Sequence, residues 1–204
     1  PILRSDGNKA YVVWMNIGKV INANTSAQEV YQNTDLWFSE FSGDSFSTPE
    51  RVPKAGNKKF EYSYDLCVSN GTAAVVWVEN SANDPLMQSG NNSIYSRIRQ
   101  NGSWKTITKL TTTFDMVGAL QASLNDSSVS VQYSDGTNLF SVSGTISTEM
   151  GTGNSLKVFD GVTYYLRDSQ LYSKAADGTE TALGIYCSGN YQVYAGNVYW
   201  TQQD

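Results

Sequence analysis

Histidine does not occur once in the 204 residues. That removes the usual general base near neutral pH and the commonest zinc ligand, so any chemistry would run on carboxylates, tyrosines, lysines or arginines. Cysteine is almost as scarce. Cys67 and Cys187 permit one disulfide without requiring it, and the alternating stretch YDLCVSN makes Cys67 read as a small buried hydrophobe. Basic runs are missing too: 14 Lys and Arg stand against 19 Asp and Glu, for a net charge of -5. Nothing in that pattern would release counterions from a phosphate backbone, which argues against nucleic acid as a partner. The longest apolar runs, Tyr11 to Met15 and Ala73 to Val78, fall far short of the roughly 20 residues that span a bilayer. No window carries apolar residues at helical spacing between caps. Pro1 is preceded by no initiator Met and followed by no signal-like region, so the chain reads as a processed or excised portion of a longer protein.

What is present is repetition. SDGNKAYVVW (from Ser5), SNGTAAVVW (from Ser69), LNDSSVSVQY (from Leu124), FDGVTYYL (from Phe159) and YAGNVYWT (from Tyr194) align as a turn leading into a strand. Asp-Gly, Asn-Gly and Asn-Asp tolerate positive φ and close tight hairpins, and the segments after them are rich in β-branched and aromatic residues. A short strand precedes each turn: PILR, YDLCV, ALQAS, SLKV and YQV. After the first four pairs a third strand follows (LWFSEF, IYSRI, LFSVS, LYSKA), then a fourth segment beyond a Gly- or Asp-containing turn.

Four short antiparallel strands, repeated in phase, are the signature of β-propeller blades. The expectation is an all-β chain of four four-stranded blades, near 1–55, 56–112, 113–152 and 153–184, with a partial fifth at 185–204. A β-sandwich has no reason to repeat a strand phrase in phase, and a β-helix would show shorter, more uniform coils. Four and a half blades do not close a ring, so further blades or a second copy would complete it. Exposed blade faces then predict self-association. Trp14 and Trp77, which end their strands, read as core between blades.

The stretch YYLRDSQLYSKAADGTETAL (Tyr164 to Leu183) resembles the compact repeats of bacterial extracellular propellers related to TolB and the low-density-lipoprotein-receptor type. VVWVEN with IYSRIRQNGSW, and LWFSEFSGDSFSTPERV, resemble instead the sialidase-like propeller repeats of bacterial surface proteins. The Asp-box of sialidase repeats, Ser-x-Asp-x-Gly-x-Thr-Trp, is absent, and SGDSFSTP stands in its place. The resemblance implies an extracellular or cell-surface protein. A sialidase would also need several arginines converging on a substrate carboxylate, and only Arg4 and Arg167 are placed to contribute.

Two connections stand out. The link from second to third strand is a tight turn in blades three and four, but it runs from Met15 to Asp35 in blade one and from Val78 to Ser93 in blade two. Long excursions inside compact repeats are usually functional. In a propeller they share one rim with the links between blades. That rim would gather Tyr31, Tyr62, Tyr64 and Phe114 with Asn83 and Asp84, a mixture of aromatic faces and hydrogen-bonding groups suited to a glycan. As an enzyme, the chain would work as a glycoside hydrolase, with Glu79, Asp115 and Asp65 as the available carboxylates. Glu79, Asn80, Asn83, Asp84 and Asn92 offer oxygens to calcium at a spacing that matches no defined calcium loop, so no cofactor or metal is expected. Sequons at Asn24, Asn70, Asn91, Asn101 and Asn125 would be glycan acceptors only in a eukaryotic secretory protein. The reading is a non-catalytic recognition or scaffold propeller, with glycan or protein ligand. A sialidase-like hydrolase and a protein-interaction propeller are the alternatives.

Overall fold

A computed structural model describes residues 1–55, 59–82, 84, 90–113 and 115–201, with side chains for all of these except 31, 32 and 59–62. The chain is all-β, and every sheet is an antiparallel meander. Sheet one contains β1 (Ile2–Asp6), β2 (Lys9–Ile17) and β3 (Thr34–Ser42), with a fourth edge made of two short pieces, β4 (Ser45–Phe46) and β5 (Glu50–Arg51). Sheet two repeats that plan with β6 (Lys59–Ser69), β7 (Thr72–Asn80), β8 (Asn92–Gln100), β9 (Ser103–Trp104) and β10 (Thr108–Thr113). Sheet three is β11 (Ala119–Asn125), β12 (Ser128–Ser134), β13 (Asn138–Ser143) and β14 (Ile146–Thr152). Sheet four is β15 (Asn154–Phe159), β16 (Val162–Arg167), β17 (Gln170–Lys174) and β18 (Glu180–Tyr186). A hairpin, β19 (Tyr191–Tyr194) and β20 (Asn197–Trp200), follows. Single fourth strands were expected in the first two sheets. They are broken because Pro49 lies between β4 and β5 and has no N–H to give a ladder, and because Lys105 to Ile107, of which Lys105 N still donates to Ile98 O at 2.8 Å, lie outside the regular ladder between β9 and β10.

The hairpin turns follow their sequences. Asn70, Asn101, Asp126 and Asp160 hold positive φ, each next to a strand end, and Asn and Asp accept that region at low cost because their short polar side chains bond locally. One short helix interrupts the strands among the described residues. Helix α1 (Ala27–Gln32) lies in the first long connection. Its start is a capping box: Glu29 N donates to Ser26 Oγ at 3.2 Å, and Ser26 N donates to Glu29 Oε2 at 3.0 Å.

Two compact units make up the chain. The first is Pro1–Met116 with Ala122–Val131 and Val142–Ser147; the second is Val117–Gln121, Gln132–Ser141 and Thr148–Asp204, so sheet three contributes to both. In the first unit, Tyr11, Val13, Leu36, Phe38 and Val52 from sheet one and its trailing segment meet Leu66, Ala73, Val75 and Trp77 of sheet two in one buried cluster. Each large side chain buried there stabilises the fold by about 1.5–3 kcal/mol. Arg99 of β8 extends this contact: its guanidinium lies over the rings of Phe38 and Trp104 and forms an ion pair with Glu50 at 2.8 Å.

The other face of β6 carries Asp65 and Cys67. Asp65 is buried and works as a three-way tie: its Oδ2 accepts from Ala122 N of β11 at 2.8 Å, while Oδ1 accepts from Leu66 N at 2.8 Å and from Arg4 of β1 at 3.3 Å. The first strands of three successive sheets are thereby joined. Cys67 and Cys187 are both free and buried, and burial first, then the nearby Asp65, pushes the Cys67 thiol up to about 12.

In the second unit Leu139, Leu156 and Tyr165 form one buried cluster, and Leu166, Leu171, Cys187 and Tyr191 form another. Gly153 sits against the first, where an added Cβ would lie 2.6 Å from the Tyr165 ring. The Tyr191 hydroxyl, 2.5 Å from Ser155 O and 2.9 Å from Tyr164 O, shares its proton between them and pins β19 to sheet four. No helix among the described residues is long and apolar enough to cross a membrane.

Candidate functional site

The two long connections leave equivalent ends of neighbouring sheets. The first opens where Gly18 N donates to Asn33 O at 2.8 Å, and α1 fills part of it. The second opens where Ser81 N donates to Asn91 O at 2.8 Å. Its neck is built from buried amides. Asn80 Nδ2 donates to Asn92 Oδ1 at 2.8 Å, and Asn80 Oδ1 accepts from Ala82 N and Asp84 N at 2.9 and 3.0 Å. Asn92 Nδ2 in turn donates to Asp115 O at 2.9 Å, fastening the neck to the link that follows β10.

A second set of bonds joins the two connections through the link between sheets one and two. Lys54 pairs with Asp35 at 2.7 Å and donates to Thr34 O at 3.3 Å, at the foot of the first connection. The next residue, Ala55, donates its N–H to Glu79 Oε1 at 3.1 Å, at the foot of the second. Trp77 Nε1 donates to the same oxygen at 2.8 Å. The outcome is a continuous rim running from first connection to link, to second connection, to next link.

The proposed ligand residues fall unevenly on this rim. Asn83 and Phe114 lie outside the described residues, as do the side chains of Tyr31 and Tyr62. Tyr64 is half-buried, packs on the cluster between sheets one and two, and bonds the Met15 backbone; burial lifts its phenol above the ordinary value. That ring packs against the core cluster and stays only partly exposed. Asp84 is half-buried with its backbone bound to Asn80. Trp14, read as core, is half-exposed beside an open apolar groove shared with Val12, Phe46 and Pro49. Trp77 alone of the pair is fully buried, because only its face is covered by another sheet.

The candidate carboxylates are placed apart. Asp65 pairs with Val76, so it shares a face with Val76 and Asn80, whereas Glu79 shares the opposite face with Trp77. Glu79 is 2% exposed and Asp115 is exposed. Glu79 Oε2 has no hydrogen-bond partner among the described residues. Of the oxygens offered to calcium, those of Asn80 and Asn92 are taken up in a bond between the two amides, and Glu79 lies on the opposite face from both. Among the described residues no group of three or more His, Cys, Asp or Glu side chains converges as a metal site would need. Arg4 is engaged with Asp65, and Arg167 holds Glu180 through two bonds of 2.9 Å while lying 4.7 Å over the Tyr172 ring. That grip, followed by the Tyr165 hydroxyl bond, holds the Glu180 carboxyl below its ordinary value.

Sequence reasoning missed Lys54 and Ala55, and it used Asn92 only as a metal candidate. The available signal was positional: Asn80 and Asn92 flank the second excursion at paired ladder positions, where two amides can face one another. No protein-family model and no curated protein matches the chain.

Proposed function

We propose that the chain is part of a β-propeller repeat protein, secreted or displayed on a bacterial surface, which recognises a partner without catalysis through the rim of its first two sheets. The propeller reading draws support from meander sheets of one plan and from Asp65, which links their first strands as an axial contact would. The observation that carries the recognition reading is the bonded rim. Two long connections are each fixed at the neck and tied together through Lys54, Ala55 and Glu79, so their outer residues are presented from a rigid base.

The outer residues of the first connection include Val20, 84% exposed, and Ile21, also exposed. Aliphatic side chains held in water on an anchored loop suit a protein surface. A glycan is the second reading, favoured by the exposed amides of Asn22, Asn24 and Gln28 on the same loop, with Tyr31 and Tyr62 as its sequence-based stacking candidates. The test combines a glycan array with surface-display binding to candidate proteins, for wild type and for Val20→Ser/Ile21→Ser. Protein binding lost in the double variant and kept in Asp115→Asn supports the reading. Turnover of chromogenic glycosides by wild type, abolished in Asp115→Asn, would replace it with a hydrolase.

A further inference from the structure

Register on β16 and β17 sets Thr163 beside Lys174 and Tyr165 beside Tyr172, so all four side chains share one face of sheet four. Part of that face meets sheet three in the cluster that joins Leu139 and Met150 to Tyr165 and Tyr172. At the Thr163 and Lys174 end the two sheets border a cavity of about 330 Å³, lined by Gln132, Ser141 and Met150 on one side and by Thr163, Lys174 and the turn after it on the other. Both walls have all four strands, and every lining residue belongs to the second unit. The volume is at the lower end for small-molecule sites, which span roughly 300–1,000 Å³.

No acidic residue lines this cavity, in a chain whose net charge is -5. Its one charge is the Lys174 ammonium, a group with several N–H donors, of which one goes to Met150 O at 2.7 Å. Glu180, paired with Lys174 across the ladder, is engaged instead by Arg167 through two bonds of 2.9 Å and by the Tyr165 hydroxyl. Gln132 is fixed by Thr163, whose hydroxyl donates to its Oε1 at 2.6 Å. That bond leaves the amide NH2 to donate into the cavity lining, and Ser141 adds a hydroxyl. Aliphatic surface comes from Met150, Ala175 and Ala176.

One cation with neutral donors around it suits a single negative charge. A phosphate dianion calls for a nest of backbone N–H groups or several cations. The turn after β17 has already spent such groups: Ala175 N donates to Thr179 O at 2.9 Å, Gly178 N to Ala175 O at 3.0 Å, and Thr179 N to Asp177 Oδ1 at 2.8 Å. The Asp177 carboxylate in that turn further disfavours a second negative charge. We propose that the cavity binds a small hydroxylated carboxylate, with Lys174 holding the carboxylate and Gln132 and Ser141 bonding its hydroxyls. A free sugar acid and an acidic unit of a polysaccharide share that chemistry.

The test is a titration of the 204-residue chain, carrying methyl-labelled methionine, with gluconate, galacturonate, galacturonate methyl ester and inorganic phosphate. Met150 lines the cavity, so its methyl resonance, assigned with Met150→Leu, reports occupancy there. Both acids should shift that resonance and saturate with a dissociation constant on the order of millimolar, whereas the neutral ester and phosphate should leave it in place. Lys174→Met keeps an aliphatic stem and removes the charge, and it should weaken binding roughly tenfold or more. Ser141→Ala removes a hydroxyl that holds no bond among the described residues, and it should weaken binding about threefold with circular dichroism and melting unchanged. Tighter binding of tri-galacturonate than of gluconate assigns an acidic polysaccharide as the source, and the reverse order assigns a free acid. A Met150 resonance indifferent to both acids at high millimolar concentration overturns the proposal. So does an ester or phosphate that shifts it as galacturonate does, a comparison made on wild type and independent of whether Lys174→Met folds. None of these residues belongs to the rim, so this result and the ligand result there stand apart.

Discussion

Replacing Asp65 with alanine should cost far more than its one visible ion pair suggests. The Arg4 partner is 44% exposed at its side chain, and an ion pair so open to solvent contributes about 0.2–1 kcal/mol. The larger loss lies in the backbone. Without the carboxylate, the N–H groups of Leu66 and Ala122 lose their 2.8 Å acceptors in a region water reaches poorly. An orphaned buried donor costs about 1–3 kcal/mol; two donors, one only half-buried, less the relief of removing a buried charge, leave about 3 kcal/mol. For a chain of this size that lowers the melting temperature by about 6–12 °C. Arg4→Ala should lose less than about 1 kcal/mol, and Asp65→Asn, which keeps one acceptor, should fall between. Urea unfolding of the three variants gives the ranking, and hydrogen exchange at the Ala122 amide reports the local bond. If Asp65→Ala and Arg4→Ala prove equally mild, or if the Ala122 amide stays protected in Asp65→Ala, the backbone tie is not what holds these strands together.

Gly153→Ala should destabilise by about 1–3 kcal/mol, because the new methyl would meet the Tyr165 ring at 2.6 Å, Leu166 O at 3.0 Å and Leu139 at 3.1 Å; a melting curve equal to wild type would show that these neighbours give way freely. Alkaline titration should show a second effect. Burial raises the phenols of Tyr165 and Tyr191 above their ordinary 10.0, so the fold holds their neutral forms. Their contribution is complete below about pH 10 and is lost as pH rises beyond it, since the same phenols ionise first in the unfolded chain. Absorbance at 295 nm should therefore leave part of the tyrosine signal untitrated until the β signal in circular dichroism collapses. Reversible ionisation of all 13 tyrosines near pH 10 with the fold intact would contradict this.

Most strands were legible because their signals are local. Asp-Gly and Asn-Gly turns, period-two alternation and the VVW phrase all act within a few residues, and the first strand of each sheet overlaps the segment expected for it, although β6 begins at Lys59, five residues ahead of YDLCV. Helix α1 was equally legible, in the Ser26-Ala27-Gln28-Glu29 capping box, but its single turn and a half is too short for a search by apolar periodicity. What could not be read was coverage. Trp14 and Trp77 stand in identical phrases, and only the presence of a sheet over one of them separates a buried side chain from a half-exposed one. The same holds for the carboxylates: Asp65 and Glu79 looked like neighbours on one rim until strand register set them on opposite faces. Rim composition was visible in the sequence, whereas the bonds that make the rim rigid run through Lys54 and Ala55, whose residue types carry no signal of their own.

The meander plan carries a kinetic consequence. Every ladder joins strands consecutive in the chain or, at the edges of the first two sheets, separated by a single short one, so each sheet can zip outward from its own turn on the microsecond scale of a hairpin. The steps that must wait are those joining one sheet to the next, such as the capture of the Ala122 amide by Asp65. The rate-limiting barrier should therefore consist of docking preformed sheets, and substitutions in turns should alter early hairpin formation more than the overall folding time.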